Sequence, residues 1–103
     1  MKVVVTPFAQ QQIWETATFI QHEFGKSHRL DFMQKVRKIQ RLISANPHLG
    51  PIEPNLAGLS TDYRSVVVAQ LNKIVYRIED DCIDIVDFWD VCRDPESLAA
   101  QVR

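Results

Sequence analysis

The stretch from Asp62 to Pro95 constrains the fold of this chain more than any other. It reads DYRSVVVAQLNKIVYRIEDDCIDIVDFWDVCRDP and holds three short apolar runs separated by two polar turns. Tyr63–Ala69, Lys73–Ile78 and Ile83–Trp89 are rich in Val, Ile, Tyr and Trp, whose branched or flat side chains suit a pleated, half-buried surface. Gln70–Asn72 and Glu79–Asp81 are short enough to close hairpins. The spacing therefore predicts three antiparallel strands in a meander. Basic residues recur along it, at Arg64, Lys73, Arg77 and then Arg93, so a working surface is expected on this sheet.

Upstream, Lys2–Val5 is a β-branched run that reads as an edge or first strand. Thr6-Pro7 marks a helix start, because Thr caps well and Pro at the first helical position gives up an N–H that had no partner. Ala9, Ile13, Ala17, Ile20 and Phe24 then recur at spacings of three and four, one apolar stripe. Gly25 supplies a left-handed stop. Ser27 reads as the cap of a second helix, whose stripe is Phe32, Val36, Ile39 and Ile43, widened by Leu30, Met33 and Leu42. Asn46-Pro47 ends it, since the residue before proline is pushed out of the helical region. So short a turn implies an antiparallel helical hairpin.

Residues 46–61 (NPHLGPIEPNLAGLST) carry three prolines and two glycines. A loop this long is expected to be functional or tied down. Leu49, Ile52, Leu56 and Leu59 suggest a strap lying across the core. Glu96–Val102 reads as a last helical turn or a fraying end. The order β-α-α-β-β-β makes an α+β fold, a mainly antiparallel sheet with a helical hairpin on one face and the other face partly open.

Composition narrows the function classes. A length of 103 residues suits one domain with a single core. No apolar run approaches the ~20 residues of a membrane span and no signal-peptide pattern opens the chain, so a cytoplasmic protein is expected. Cys82 and Cys92 lie along one predicted strand, where ten extended residues span roughly 30 Å, so free thiols are expected. Three scattered histidines and the acidic residues Asp90, Asp94 and Glu96 show no ligand spacing; neither a metal nor a cofactor is expected. The net charge of −1 is unlike that of a protein built to grip long nucleic acids. It is unevenly spread: Arg29, Lys35, Arg37, Lys38 and Arg41 crowd one segment. The helix-borne members of that cluster are a solvated face or a contact for an acidic partner or a phosphate. Trp14 and Trp89 read as core or core-edge residues, although Trp14, one place off its stripe, could anchor a partner chain.

Several features together resemble the RelE/ParE superfamily of bacterial toxins. They are the order of elements, Asn46, Pro47, Leu49 and Gly50 as "NP-x-LG", Tyr63-Arg64, the KIVYRI strand, and an ending of Trp89-Asp90, Arg93-Asp94-Pro95 and Leu98. The resemblance covers nearly the whole chain. It implies the toxin of a type II toxin–antitoxin system, held inactive by a cognate antitoxin. One branch cleaves mRNA on the ribosome without metal; the other poisons DNA gyrase and has no known catalytic residues of its own.

In the ribonuclease branch, basic residues on the second and third strands and after the fourth surround the scissile phosphate. Arg64, Lys73 and Arg93 fall at those positions and are the candidate catalytic residues. Guanidinium and ammonium groups can stabilise charge on a pentavalent phosphorane but are poor general bases at neutral pH. Two departures count against cleavage: Val66 stands where the branch often has a further base, and Glu96-Ser97-Leu98-Ala99 stands where some members carry a tyrosine. The matching basic residues tilt the expectation slightly toward a ribosome-dependent mRNA endoribonuclease. A gyrase inhibitor, or a non-toxic binding module of the same fold, is the alternative. Candidates for moving a proton are Tyr63, Tyr76, Asp90 and a pKa-shifted Lys73.

Overall fold

A computed structural model describes residues 1–69 and 72–90. Cys92, Arg93, the Asp94-Pro95 reversal and the expected turn at Glu96–Val102 lie outside the described residues. The elements are β1 (Lys2–Val5), α1 (Pro7–Phe24), α2 (Lys26–Ala45), a single 3-10 turn at Pro54–Leu56, β2 (Arg64–Ala69), β3 (Asn72–Ile78) and β4 (Cys82–Asp90). The architecture is α+β.

Local chemistry places the helices. The Thr6 hydroxyl accepts from the Ala9 N–H at 3.2 Å, and Pro7 occupies the first helical position. Gly25 ends α1 with φ +99°, which a side chain would disfavour. Its ψ of 173° is outside the left-handed helical region, and α2 starts at the very next residue. Ser27 thus lies inside α2 rather than capping it, and the cap position is Gly25 itself, without a side-chain bond.

The sheet order is β1-β4-β3-β2. The predicted meander is present, β2 and β4 each pairing antiparallel with β3. β1 lies parallel to β4, Lys2 opposite Cys82 and Val5 opposite Ile85, which makes the sheet mixed. One irregularity matters. Val75 faces Asp87 and Tyr76 faces Ile85, so β4 carries one extra residue at Val86. A bulge of this kind reverses the alternation of the strand. Ile83 and Ile85 face the helices before it, Phe88 faces them after it, and Asp87 and Trp89 turn to the opposite side.

The helices cover the face presenting Ile74, Tyr76, Ile83, Ile85 and Phe88, against which Ala9, Ile13, Ala17, Phe32, Val36 and Ile43 are buried. Ile39 and Met33 are partly buried there. Three expected stripe members are not: Phe24, Leu30 and Leu42 are exposed, Phe24 and Leu30 by about three-fifths. Both lie within five residues of the Gly25 turn that joins the two helices. Trp14 is 60% exposed, so the partner-anchor alternative fits it and the core reading does not; Trp89 is buried.

The opposite face is partly open, as expected: the strap covers its middle, while Val67 at one end and Lys2 and Val4 at the other stay exposed. Leu56, Tyr63, Val75 and Trp89 form a second buried cluster, flanked by Leu59 and Val86. Leu49 and Ile52 are exposed. Gly50 lets the strap cross the edge of β2: a Cβ there would stand 2.6 Å from the Ser65 carbonyl oxygen. Beyond that crossing the Ser65 N–H donates to Pro51 O and the Glu53 N–H to Tyr63 O, holding the strap against the start of β2.

Candidate functional site

Strand register decides which charged side chains can act together. Arg64 is paired with Tyr76 and Val67 with Lys73. Alternation then puts Arg64 on the helix side of the sheet, with Tyr76 and Ile74, and Lys73 on the strap side, with Val75 and Trp89. Along the strands they are also three residues, about 10 Å, apart. The structure does not bring Arg64 and Lys73 together; Arg93 lies outside the described residues.

Each of the two placed residues is held by its own neighbours. The Arg64 guanidinium donates to Gly50 O at 2.8 Å. Beside it the Tyr76 hydroxyl donates to Pro47 O at 2.7 Å and accepts from the Gly50 N–H at 3.0 Å. Burial pushes the Tyr76 phenol above its ordinary pKa, against the lowering effect of the Gly50 bond and the Arg64 charge. Arg64 and Tyr76 therefore clamp the 47–50 segment to the sheet. Tyr76 is fully buried and is not placed to move a substrate proton.

On the other face, Lys73 Nζ lies 2.7 Å from Glu53 Oε2 and 4.4 Å from the centroid of the Trp89 ring. Glu53 is wholly buried, while the Lys73 side chain keeps 16% of its exposure. Glu53 Oε1 accepts from the Asn55 backbone and side-chain N–H groups. Burial alone would raise the Glu53 pKa; the bonds from Lys73, Ser65 and Asn55 outweigh it and hold the carboxyl below its ordinary value. No motif or periodicity marks Glu53 in the sequence. A signal was available, because it is the only carboxylate in residues 46–61. A carboxylate both sealed from solvent and lowered in pKa is a weak proton acceptor, so the pair braces the strap.

Arg77 is likewise occupied, its Nε 2.9 Å from Glu79 Oε1 and 3.4 Å from Asp84 Oδ2. Cys82 is a free thiol; burial first, then Asp84, raises its pKa. Among the described residues there is no cluster of three His, Cys, Asp or Glu able to hold a metal ion, and no helix long and apolar enough to cross a membrane.

This topology, with a helical hairpin inserted after the first strand and that strand returned parallel to the fourth, recurs in solved structures. A chain of the chromosomal ParDE TA system from P. aeruginosa superposes with a TM-score of 0.72 at 14% identity, over 88% of this chain and 96% of that one. The chain has the RelE/ParE fold. The YoeB/ParE toxin from Agrobacterium tumefaciens matches with a TM-score of 0.58 at 20% identity, over 87% of this chain and 98% of that one. A chain of the heterotetrameric YoeB-YefM toxin-antitoxin complex from Staphylococcus aureus gives 0.52 at 20% identity, over 84% and 92%. No family model matches the sequence, and no curated protein sequence does. The likeness is one of RelE/ParE architecture, carried by the positions of the elements rather than by shared side chains.

Proposed function

We propose that this chain is the toxin component of a type II toxin–antitoxin pair, and that it acts by binding its target, as a gyrase inhibitor, rather than by cleaving RNA. The toxin reading rests on the RelE/ParE fold over nearly the whole chain. The finer reading rests on one observation: Arg64 and Lys73 lie on opposite faces of the sheet, each already bonded within the protein. Phosphoryl chemistry without a metal needs cationic groups converging within hydrogen-bond reach of one phosphate. A lysine ion-paired to a buried carboxylate has little of its charge to spare for one.

The partner is a cognate antitoxin, as in the YoeB-YefM complex among the structural neighbours. Its docking surface is the helical hairpin, where Trp14, Phe19, Phe24 and Leu30 stand exposed by about three-fifths. Such side chains are what a partner helix or strand buries.

Expression in a bacterial host, with mapping of mRNA 5′ ends and recovery of gyrase–DNA adducts, tests the reading. The expected result is growth arrest with intact mRNA and accumulated adducts. Arrest with codon-periodic mRNA ends, abolished by Arg93→Ala, would overturn it in favour of the ribosome-dependent nuclease. No arrest would leave a binding module of the same fold.

A further inference from the structure

Charge is segregated between the two helices. α2 carries six of the chain's twelve Lys and Arg residues and one carboxylate, Asp31, a net +5 in a protein of net −1. α1 carries Glu15 and Glu23 and no Lys or Arg. Helical geometry sorts the basic residues of α2. Phe32, Val36, Ile39 and Ile43 turn toward the sheet, so the residues two positions on, about 200° round the axis, point away from it. These are Gln34, Lys38, Arg41 and Ala45, all exposed. Lys35 and Arg37 flank them and are exposed as well.

Lys35 is paired with Asp31 at 3.2 Å. Arg37, Lys38 and Arg41 have no ion pair among the described residues, although they crowd into a rise of about 6 Å. The Arg29–Gln21 side-chain bond sets the register of the helical hairpin. It places Arg37 and Arg41 level with Ile13 and Ala9 of α1, where Gln10, Gln11 and Gln12 carry no charge. Glu15, further along α1, already accepts from Gln11. α2 also borders an open groove of about 610 Å³ with Met1, Lys2 and Val3, and no acidic residue lines it. Asp84, opposite Val4 in the neighbouring strand, points to the far face of the sheet and is engaged by Arg77. Residues 46–52, which follow α2, contain no acidic group.

From this geometry we infer that the exposed face of α2 binds the phosphate backbone of duplex DNA, with Arg37, Lys38 and Arg41 each on a phosphate. The inference deepens the gyrase reading and rests on it for the choice of DNA: the toxin holds the duplex on which its target enzyme acts. Three contacts make a local grip, in keeping with the low net charge of the chain. Two observations favour a duplex backbone over an acidic protein surface or single-stranded RNA. Between Gln34 and Ala45 one large apolar side chain, Leu42, is exposed, whereas protein interfaces are anchored by clusters of buried aromatic and apolar residues. No aromatic residue stands in that stretch, whereas single strands are held by bases stacked on successive rings.

The test titrates the full chain against a fluorescent sixteen-base-pair mixed-sequence duplex, single-stranded RNA of the same sequence, and polyglutamate of the same charge, from 50 to 200 mM salt. The expected outcome is saturable duplex binding that weakens roughly fortyfold across that range, the loss for three phosphate contacts at a slope of about −0.9 each. R37Q/K38Q/R41Q should bind at least tenfold more weakly at 50 mM salt and lose most of the salt dependence. All three side chains are exposed, so the fold should stay intact, which a thermal melt checks. If the triple variant does not fold, Lys38→Gln alone should reduce the salt slope by about one. No saturable binding, salt-independent binding, an unchanged variant, or equal or tighter binding of the RNA or polyglutamate would each overturn the inference. Gyrase–DNA adducts recovered with the unaltered chain test the gyrase reading separately, so either can fail while the other stands.

Discussion

Lys73 Nζ sits 2.7 Å from Glu53 Oε2, joining the third strand to the strap that lies across the middle of the face the helices leave uncovered. Lys73 also lies over Trp89, so one side chain ties strap, strand and second core cluster together. Replacing Glu53 with Ala strands the ammonium in a largely buried site. The expected loss is about 3 kcal/mol in urea melts at pH 7, near the lower end for breaking a buried pair because Lys73 keeps some contact with water.

The same pair makes stability depend on pH. The folded Glu53 pKa lies below its unfolded value, so its contribution is complete above the unfolded value and lost as pH falls through the folded one. Urea midpoints measured from pH 7 down to pH 3 are expected to fall more steeply for the unaltered chain than for Glu53→Gln. Parallel curves would show that Glu53 carries no differential charge stabilisation.

Tyr76→Phe removes the hydroxyl that bonds Pro47 O and the Gly50 N–H while keeping the ring in the main core. Leaving those groups without a partner is expected to cost about 1–3 kcal/mol. Hydrogen exchange at Gly50 should rise more than at the β3–β4 ladder, localising the effect to the start of the strap.

Gly50→Ala tests the crossing point. The added methyl would meet the Ser65 carbonyl oxygen at 2.6 Å, and a backbone atom in a paired strand has little room to yield. An expected loss of about 1–3 kcal/mol in a denaturant melt follows, typical of overpacking. A neutral result would mean that the strap slides without cost.

The second helix offers a graded comparison. Ile43 is fully buried, whereas Ile39, four residues earlier on the same stripe, is only partly so. Ile43→Ala should cost about 3–4 kcal/mol and Ile39→Ala about 2 or less, because the cavity left by Ile39 is open on one side. Equal losses would place the centre of the helix, rather than its end, against the sheet.

Which elements form was legible in the sequence, because the signals for them are local. Thr6-Pro7 starts a helix, Gly25 stops one, Asn46-Pro47 stops another, and three β-branched runs around two turns form a meander. Their order also carried the resemblance to the RelE/ParE architecture. Which residues meet was not legible, because that depends on pairings between distant segments. A single extra residue at Val86 turns Asp87 and Trp89 away from the helices, and no alternation rule applied to β4 alone finds it. The β2–β3 register puts Arg64 and Lys73 on opposite faces; a one-residue slip would have put them on the same one. Glu53, in a loop with no periodicity, found its partner only when the strap folded across the sheet. The sequence determined the elements because hydrogen bonding and side-chain shape act within a few residues, and tertiary structure decided the site because register and burial do not.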